Sequence, residues 1–128
     1  MDEFGSQWMQ QWQKCVNGDA VMKNVGRYFD ENVLLDFGED KAYVVQFRAG
    51  RVDRVVDKAG PEDRYAFALR APKSSWQKFV QRVPPPMYND IWAMAHPLHR
   101  HLIIVGNQLP FWQNLRALTH MLSLMRAI

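Results

Sequence analysis

The densest group of side chains able to do chemistry is His96-Pro97-Leu98-His99-Arg100-His101. On a strand His99 and His101 would project to the same side, and a His-x-His pair is a usable start for a metal site. A metal needs at least a third ligand. Asp90 and His120 are the available ones, and neither stands at a spacing that ties it to the pair. Polar residues also collect where a loop enters a strand. A metal-assisted enzyme built on His96, His99 and His101 is therefore the lesser reading, and no metal and no cofactor are expected.

The nucleophiles are as poorly supported. Ser74 and Ser75 follow Pro72 in a helix-capping position, with no Gly-x-Ser-x-Gly elbow nearby. Cys15 is the only cysteine, has no evident base, and cannot close an intrachain disulfide; a buried structural thiol is expected. Asp30, Glu31, Asp36, Glu39 and Asp40 read as a strand and turn facing water. Glycines 5, 18, 26, 38, 50, 60 and 106 are isolated, so neither a phosphate loop nor a dinucleotide fingerprint exists. No catalytic residues are assigned, and the chain is not expected to be an enzyme.

Charge excludes another class. Residues 1–64 carry 12 acids and 9 bases, whereas residues 65–128 carry only Asp90 against 7 bases. A basic half attracts anions. Its bases are scattered singly (Arg70, Lys73, Lys78, Arg82, Arg100, Arg116, Arg126), no cluster tracks a phosphate backbone, and nucleic acid is not expected as a partner. The acidic start Met1-Asp2-Glu3 is unlike a signal peptide, and no apolar run reaches membrane-spanning length, so a cytoplasmic location is expected.

The excess lies in large apolar side chains: 5 Trp, 7 Phe, 4 Tyr and 7 Met in 128 residues. Such residues fill cores, and they also line irregular apolar pockets. The stretch from Trp76 to Trp92 concentrates them around Pro84-Pro85-Pro86, and Phe111 and Trp112 join a Leu/Met stripe near the end. Three prolines hold the chain stiff, and Met87–Ala95 is apolar on more sides than a surface helix buries. A pocket wall or lid of apolar character is expected there.

The elements that must position these residues follow from periodicity. Phe4, Trp8, Met9, Trp12, Cys15 and Val16 form a helix face over 4–16, broken at Asn17-Gly18. Asn17 or Asp19 caps a second short helix ended by Gly26. Strands are expected at about 29–37, around Tyr43–Phe47, and at Arg51–Val56, with Val52 and Val56 sharing a face and Arg54 between them. Their turns are Gly38-Glu39-Asp40 and Ala49-Gly50, and the result is an antiparallel meander. Asp57–Asp63 is a loop, and Tyr65–Arg70 a fourth strand. Ser74 or Ser75 caps a helix holding Trp76, Phe79, Val80 and Val83, which the prolines stop. Met87–Ala95 is one or two helical turns, and His101–Val105 a fifth strand. Pro110 opens one last helix striped by Phe111, Leu115, Leu118, Leu122 and Met125. The fold class is α/β in the α+β sense. Five strands form a mostly antiparallel sheet, and about five helices cover one face of it. No linker divides the chain, so residues 1–128 read as one domain.

This order of elements resembles the sterol carrier protein type 2 family. The matching stretches are Tyr43-Val44-Val45-Gln46-Phe47-Arg48-Ala49-Gly50-Arg51-Val52, then Tyr65-Ala66-Phe67-Ala68-Leu69-Arg70-Ala71-Pro72 followed by Trp76-Gln77-Lys78-Phe79, and Leu102-Ile103-Ile104-Val105-Gly106-Asn107. The family pattern has Gly-Asp where this chain has Gly106-Asn107. Pro84–Asp90 looks like a bacterial-type variant of the apolar crossover. The final Arg126-Ala127-Ile128 is not the peroxisomal tripeptide of some eukaryotic members. The resemblance covers about residues 4–126. It implies a tunnel between sheet and helices that binds or moves sterols, fatty acids, acyl-CoA or other lipids.

The expected function is binding of a hydrophobic small molecule, whether lipid, fatty acyl or sterol-like, by a carrier or binding module. The expected ligand wall is Trp76, Phe79, Val83, Met87, Tyr88, Ile91, Trp92, Phe111, Leu115, Leu118 and Leu122. Tyr88, Asn89 or Arg100 would hydrogen-bond a polar head. The basic half suits an anionic head group or a transient membrane contact. The alternative is an interaction module with a filled core, docking on a partner or forming a homodimer.

Overall fold

A computed structural model describes residues 3–57, 63–98 and 100–128. His99 and the Gly60-Pro61 part of the expected loop lie outside the described residues.

The first helix, α1 (Ser6–Gly18), buries Trp8, Met9, Trp12 and Val16 on one stripe. Phe4 lies before it rather than within it, with φ 61°, and its ring stacks on Phe37 at 4.7 Å. Of the two expected caps for α2 (Ala20–Val25), Asp19 is the one used: its carboxylate accepts from Met22 N–H at 2.8 Å. Asn17 has a different task. Its amide donates to the Val52 carbonyl at 3.0 Å, and its oxygen accepts the Val52 N–H at 2.7 Å.

That clamp seals a sheet edge. The strands are β1 (Asn32–Asp36), β2 (Ala42–Arg48), β3 (Arg51–Asp57), β4 (Phe67–Arg70) and β5 (Ile103–Gly106), in the order β3-β2-β1-β4-β5. All neighbours run antiparallel except β1 and β4, which are parallel. The sheet is therefore mixed but mostly antiparallel. At the β3 edge Asn17 takes both backbone groups of Val52, which would otherwise be open to another strand.

One face of the sheet carries the core. Val33, Leu35, Tyr43, Val45, Phe47, Phe67 and Leu69 pack with the apolar stripes of the helices in a single cluster. The other face has a smaller cluster made of strand residues alone, around Leu34, Val44 and Ala68. Through the pairing registers these form one row across all five strands: Val56, Val44, Leu34, Ala68, Val105. This row corrects the sequence expectation for β3. A bulge where Gln46 pairs Arg54 and Phe47 pairs Val52 leaves Asp53 unpaired, so Val52 and Val55 face the core while Val56 turns to the other side. One extra residue flips every side chain after it.

Other boundaries also move. The first strand begins at residue 32, not 29, because Phe29 is held in a turn: its N–H bonds the Gly26 carbonyl and its carbonyl accepts from Gly50 N–H. The third helix, α3 (Lys73–Phe79), follows Pro72 as an N-cap that offers no side-chain hydrogen bond, with Ser74 and Ser75 inside it, and it ends before Val80 and Val83, so the prolines are not what stops it. Asp90 caps the short α4 (Ile91–Met94), accepting from Ala93 N–H at 2.7 Å. The fifth strand starts at 103 because Leu102 N–H turns to the Met94 carbonyl. The expected single last helix is two, α5 (Gln108–Gln113) and α6 (Leu115–Ser123), followed by a 3-10 turn over Leu124–Ala127. The break is at Asn114. Its side-chain amide donates to the Pro110 carbonyl at 2.9 Å, competing with the backbone ladder, and its own N–H reaches back to both Pro110 and Phe111. Among the described residues no helix is long and apolar enough to cross a membrane.

Candidate functional site

The structure divides the eleven expected wall residues. Trp76, Phe79, Ile91, Phe111, Leu118 and Leu122 are completely buried in the core and packed by protein atoms. Met87 and Tyr88 are half-buried, and Val83 stands 83% exposed on the α3 side of the prolines. Leu115 borders one surface groove and Trp92 another.

The Trp92 groove is the more apolar of these. It holds about 530 Å³, within the usual range for a small-molecule site. Four pieces of chain build it. In α4, Ile91 and Met94 point into the core, and helical geometry leaves Trp92 on the outer side. The following loop supplies Ala95, His96, Pro97 and Arg100, and is pinned by Arg100 N–H to the His96 carbonyl at 2.9 Å. Leu102 just before β5, and Ile103 and Ile104 within it, bring in the last strand of the sheet. From α5 come Gln108 and Trp112, one turn apart. Phe111 beside them is buried edge-on against Phe67 at 5.6 Å and supports the Trp112 ring, also edge-on, at 5.0 Å. A rigid aromatic base thus supports Trp112, which lines the groove together with Trp92. The buried rings of Trp12 and Trp76 each donate their indole N–H to a backbone carbonyl, of Met121 and of Asp36, at 2.8 Å.

Of the three expected polar-head contacts, Arg100 is the one placed at this groove. Tyr88 is engaged elsewhere: its hydroxyl lies 3.1 Å from His101 Nδ1, and the two rings stack at 4.5 Å. The Asn89 carbonyl accepts from the Arg126 guanidinium at 2.6 Å. Arg126 also donates to the Phe79 carbonyl at 2.8 Å and lies over the Phe79 ring, so the end of the chain clamps the crossover that follows α3. Burial pulls its pKa down, and Asp90 opposes that shift.

The Leu115 groove, about 600 Å³, lies between α2 and α6 and is more polar, with Arg116, Thr119, His120 and Ser123 along one helix face. His120 Nε2 is 2.7 Å from the Asp19 carboxylate. That carboxylate is held below its ordinary value of 3.8, first by the Met22 N–H and further by His120, with burial opposing. Among the described residues no three His, Cys, Asp or Glu side chains gather as a metal site, and His99 is not among them.

Sequence reasoning named Trp112 but left it out of the wall, and it missed Leu102, Ile103, Ile104 and Gln108. The available signal was helical phase: with Phe111, Leu118 and Leu122 on the buried stripe, Trp112 falls about 100° round from Phe111. The β5 residues gave no such signal, because an all-apolar strand does not say which of its edges is covered.

No protein-family model and no curated protein matches the chain. Solved structures do. The crystal structure of a sterol carrier protein 2 superposes with a TM-score of 0.74 at 14% identity, covering 99% of each chain. A conserved hypothetical protein from Thermus thermophilus, described as a possible sterol carrier protein, gives 0.63 at 14% identity over 98% of this chain and 90% of its own. The ubiquinone synthesis protein UbiJ-SCP2 gives 0.60 at 13% identity over 91% and 90%. The chain has the sterol carrier protein 2 fold.

Proposed function

We propose that this chain is a carrier or binding module for a hydrophobic small molecule of lipid, acyl or sterol-like character, and that it is not an enzyme. The observation that carries the reading is the groove beside β5 that Trp92 and Trp112 both line, with Arg100 among its lining residues. Two indoles held in water are apolar area waiting to be covered. Each ligand CH₂ buried there contributes about 0.8 kcal/mol, so a long chain binds without a strong polar anchor. Arg100 supplies a charge for an anionic head. The sterol carrier protein and ubiquinone synthesis protein among the structural neighbours are in keeping with such a ligand.

Native mass spectrometry of the freshly purified chain, followed by organic extraction, tests this. A co-purified molecule of long-chain or polycyclic hydrocarbon character is expected, and its retention should fall in the Trp92→Ala/Trp112→Ala double variant. A wholly apo mass that stays apo after incubation with lipid extract would overturn the reading. A doubled apo mass would favour the alternative of a dimerising module instead.

A further inference from the structure

We infer that the rim of the Trp92–Trp112 groove is a docking face for an anionic lipid surface. The inference rests on the proposed function in one respect, that a carrier's groove must be presented to the phase its ligand comes from.

Three independent observations converge on this rim. The first is exposure of large apolar groups where water gains nothing from them: Leu98 is 82% exposed, Leu109 62%, Trp92 61%, Ile103 54% and Trp112 47%. The second is contiguity. Trp92, Ile103 and Trp112 line one groove, Leu98 follows the lining residue Pro97, and Leu109 follows the lining residue Gln108. On α5, Leu109 lies about 60° round from Trp112 on the side away from buried Phe111 and Pro110, so the helix presents a two-residue apolar crest. The third is charge. No acidic side chain lines the groove, whereas Arg100 and His96 do. An anionic bilayer complements that charge and accepts the apolar side chains beneath its headgroups. Exposed tryptophans beside an arginine are the composition that settles at a headgroup boundary, where the ring is apolar and its N–H wet.

Sedimentation of the intact chain with vesicles decides the matter. One set is phosphatidylcholine alone and the other phosphatidylcholine with phosphatidylglycerol. Binding to the anionic set at low salt is expected, with weak binding to the neutral set. It should collapse between about 0.01 and 1 M salt, as the screening length falls from about 30 to 3 Å. Arg100→Gln should weaken it about fivefold, and Leu98→Asp/Leu109→Asp by more than about tenfold. Neither leucine lines the groove, so the leucine variant should still take up a brominated fatty acid in vesicle-free solution. Absence of anionic-vesicle binding in a chain that takes up the fatty acid overturns the docking face and leaves the groove reading intact. Vesicle binding without fatty-acid uptake sinks the groove reading alone. A concentration-dependent doubling of mass that Leu98→Asp/Leu109→Asp abolishes, with no vesicle binding, assigns the face to a second copy and overturns the proposal.

Discussion

Trp76→Ala is expected to destabilise the folded chain by about 3–5 kcal/mol, the cost of removing a fully enclosed indole and leaving a cavity. The residue is completely buried on α3, with its ring 4.9 Å from Phe37 and edge-on to Phe79 at 5.8 Å. Its indole N–H donates to the Asp36 carbonyl at 2.8 Å, tying the helix to the end of β1. Truncation removes the packing and that hydrogen bond together. Urea unfolding followed by circular dichroism measures the loss. The same truncation at Trp92 should cost under about 1 kcal/mol, since a surface change away from caps and cores seldom costs more. The pair separates core from site within a set of residues the sequence could not sort. If Trp76→Ala left stability unchanged and Trp92→Ala unfolded the chain, the packing assigned to both residues would be wrong.

Gly50→Ala should be nearly as damaging, at about 2–4 kcal/mol, by a different route. Ala49 and Gly50 form the two-residue turn between β2 and β3, with φ 53° and 76°, the left-handed geometry such hairpins need. Alanine tolerates that geometry at a cost, and Ala49 already does so. The distinguishing feature at Gly50 is space: an added Cβ would sit 2.5 Å from the Gly26 carbonyl oxygen and 2.9 Å from Gly26 Cα. The obstacle is backbone, which cannot swing aside. The turn would have to withdraw from the end of α2 and lose its Gly50 N–H bond to the Phe29 carbonyl. Gly18→Ala is the control, because a Cβ there meets nothing within 4 Å. It should be neutral or slightly stabilising in the same unfolding experiment.

Much of this architecture is legible in the residues because it rests on local rules. The α1 stripe through Trp8, Trp12 and Val16, the Ala49-Gly50 hairpin and the strand–helix order each follow from periodicity or turn chemistry. What escaped depends on partners distant in sequence. The bulge at Asp53 leaves a pattern, Val52 to Val56, that also satisfies a regular strand. The parallel pairing of β1 with β4 has no local signature. The break at Asn114 comes from a side chain competing for the Pro110 carbonyl, inside a stretch whose apolar stripe continues on both sides. The site was half legible for the same reason. Composition pointed to surplus apolar surface between Trp76 and Trp112, but whether a given ring enters the core or lines a groove is settled by how α4, α5 and β5 meet. Trp76 and Trp92 look alike in the sequence and have opposite roles in the fold.

The central claim is that an apolar ligand lies between Trp92 and Trp112. It is tested most directly by quenching of tryptophan fluorescence with a brominated fatty acid, in vesicle-free solution below the concentration at which the acid self-associates. Trp8, Trp12 and Trp76 are buried, whereas Trp92 and Trp112 face the groove. Bromine quenches at contact range, so saturable loss of emission from the two groove indoles is expected, with the emission of the three core indoles retained. Trp92→Phe/Trp112→Phe should remove the quenchable fraction. Absence of quenching, or quenching that persists undiminished in that double variant, would contradict the account.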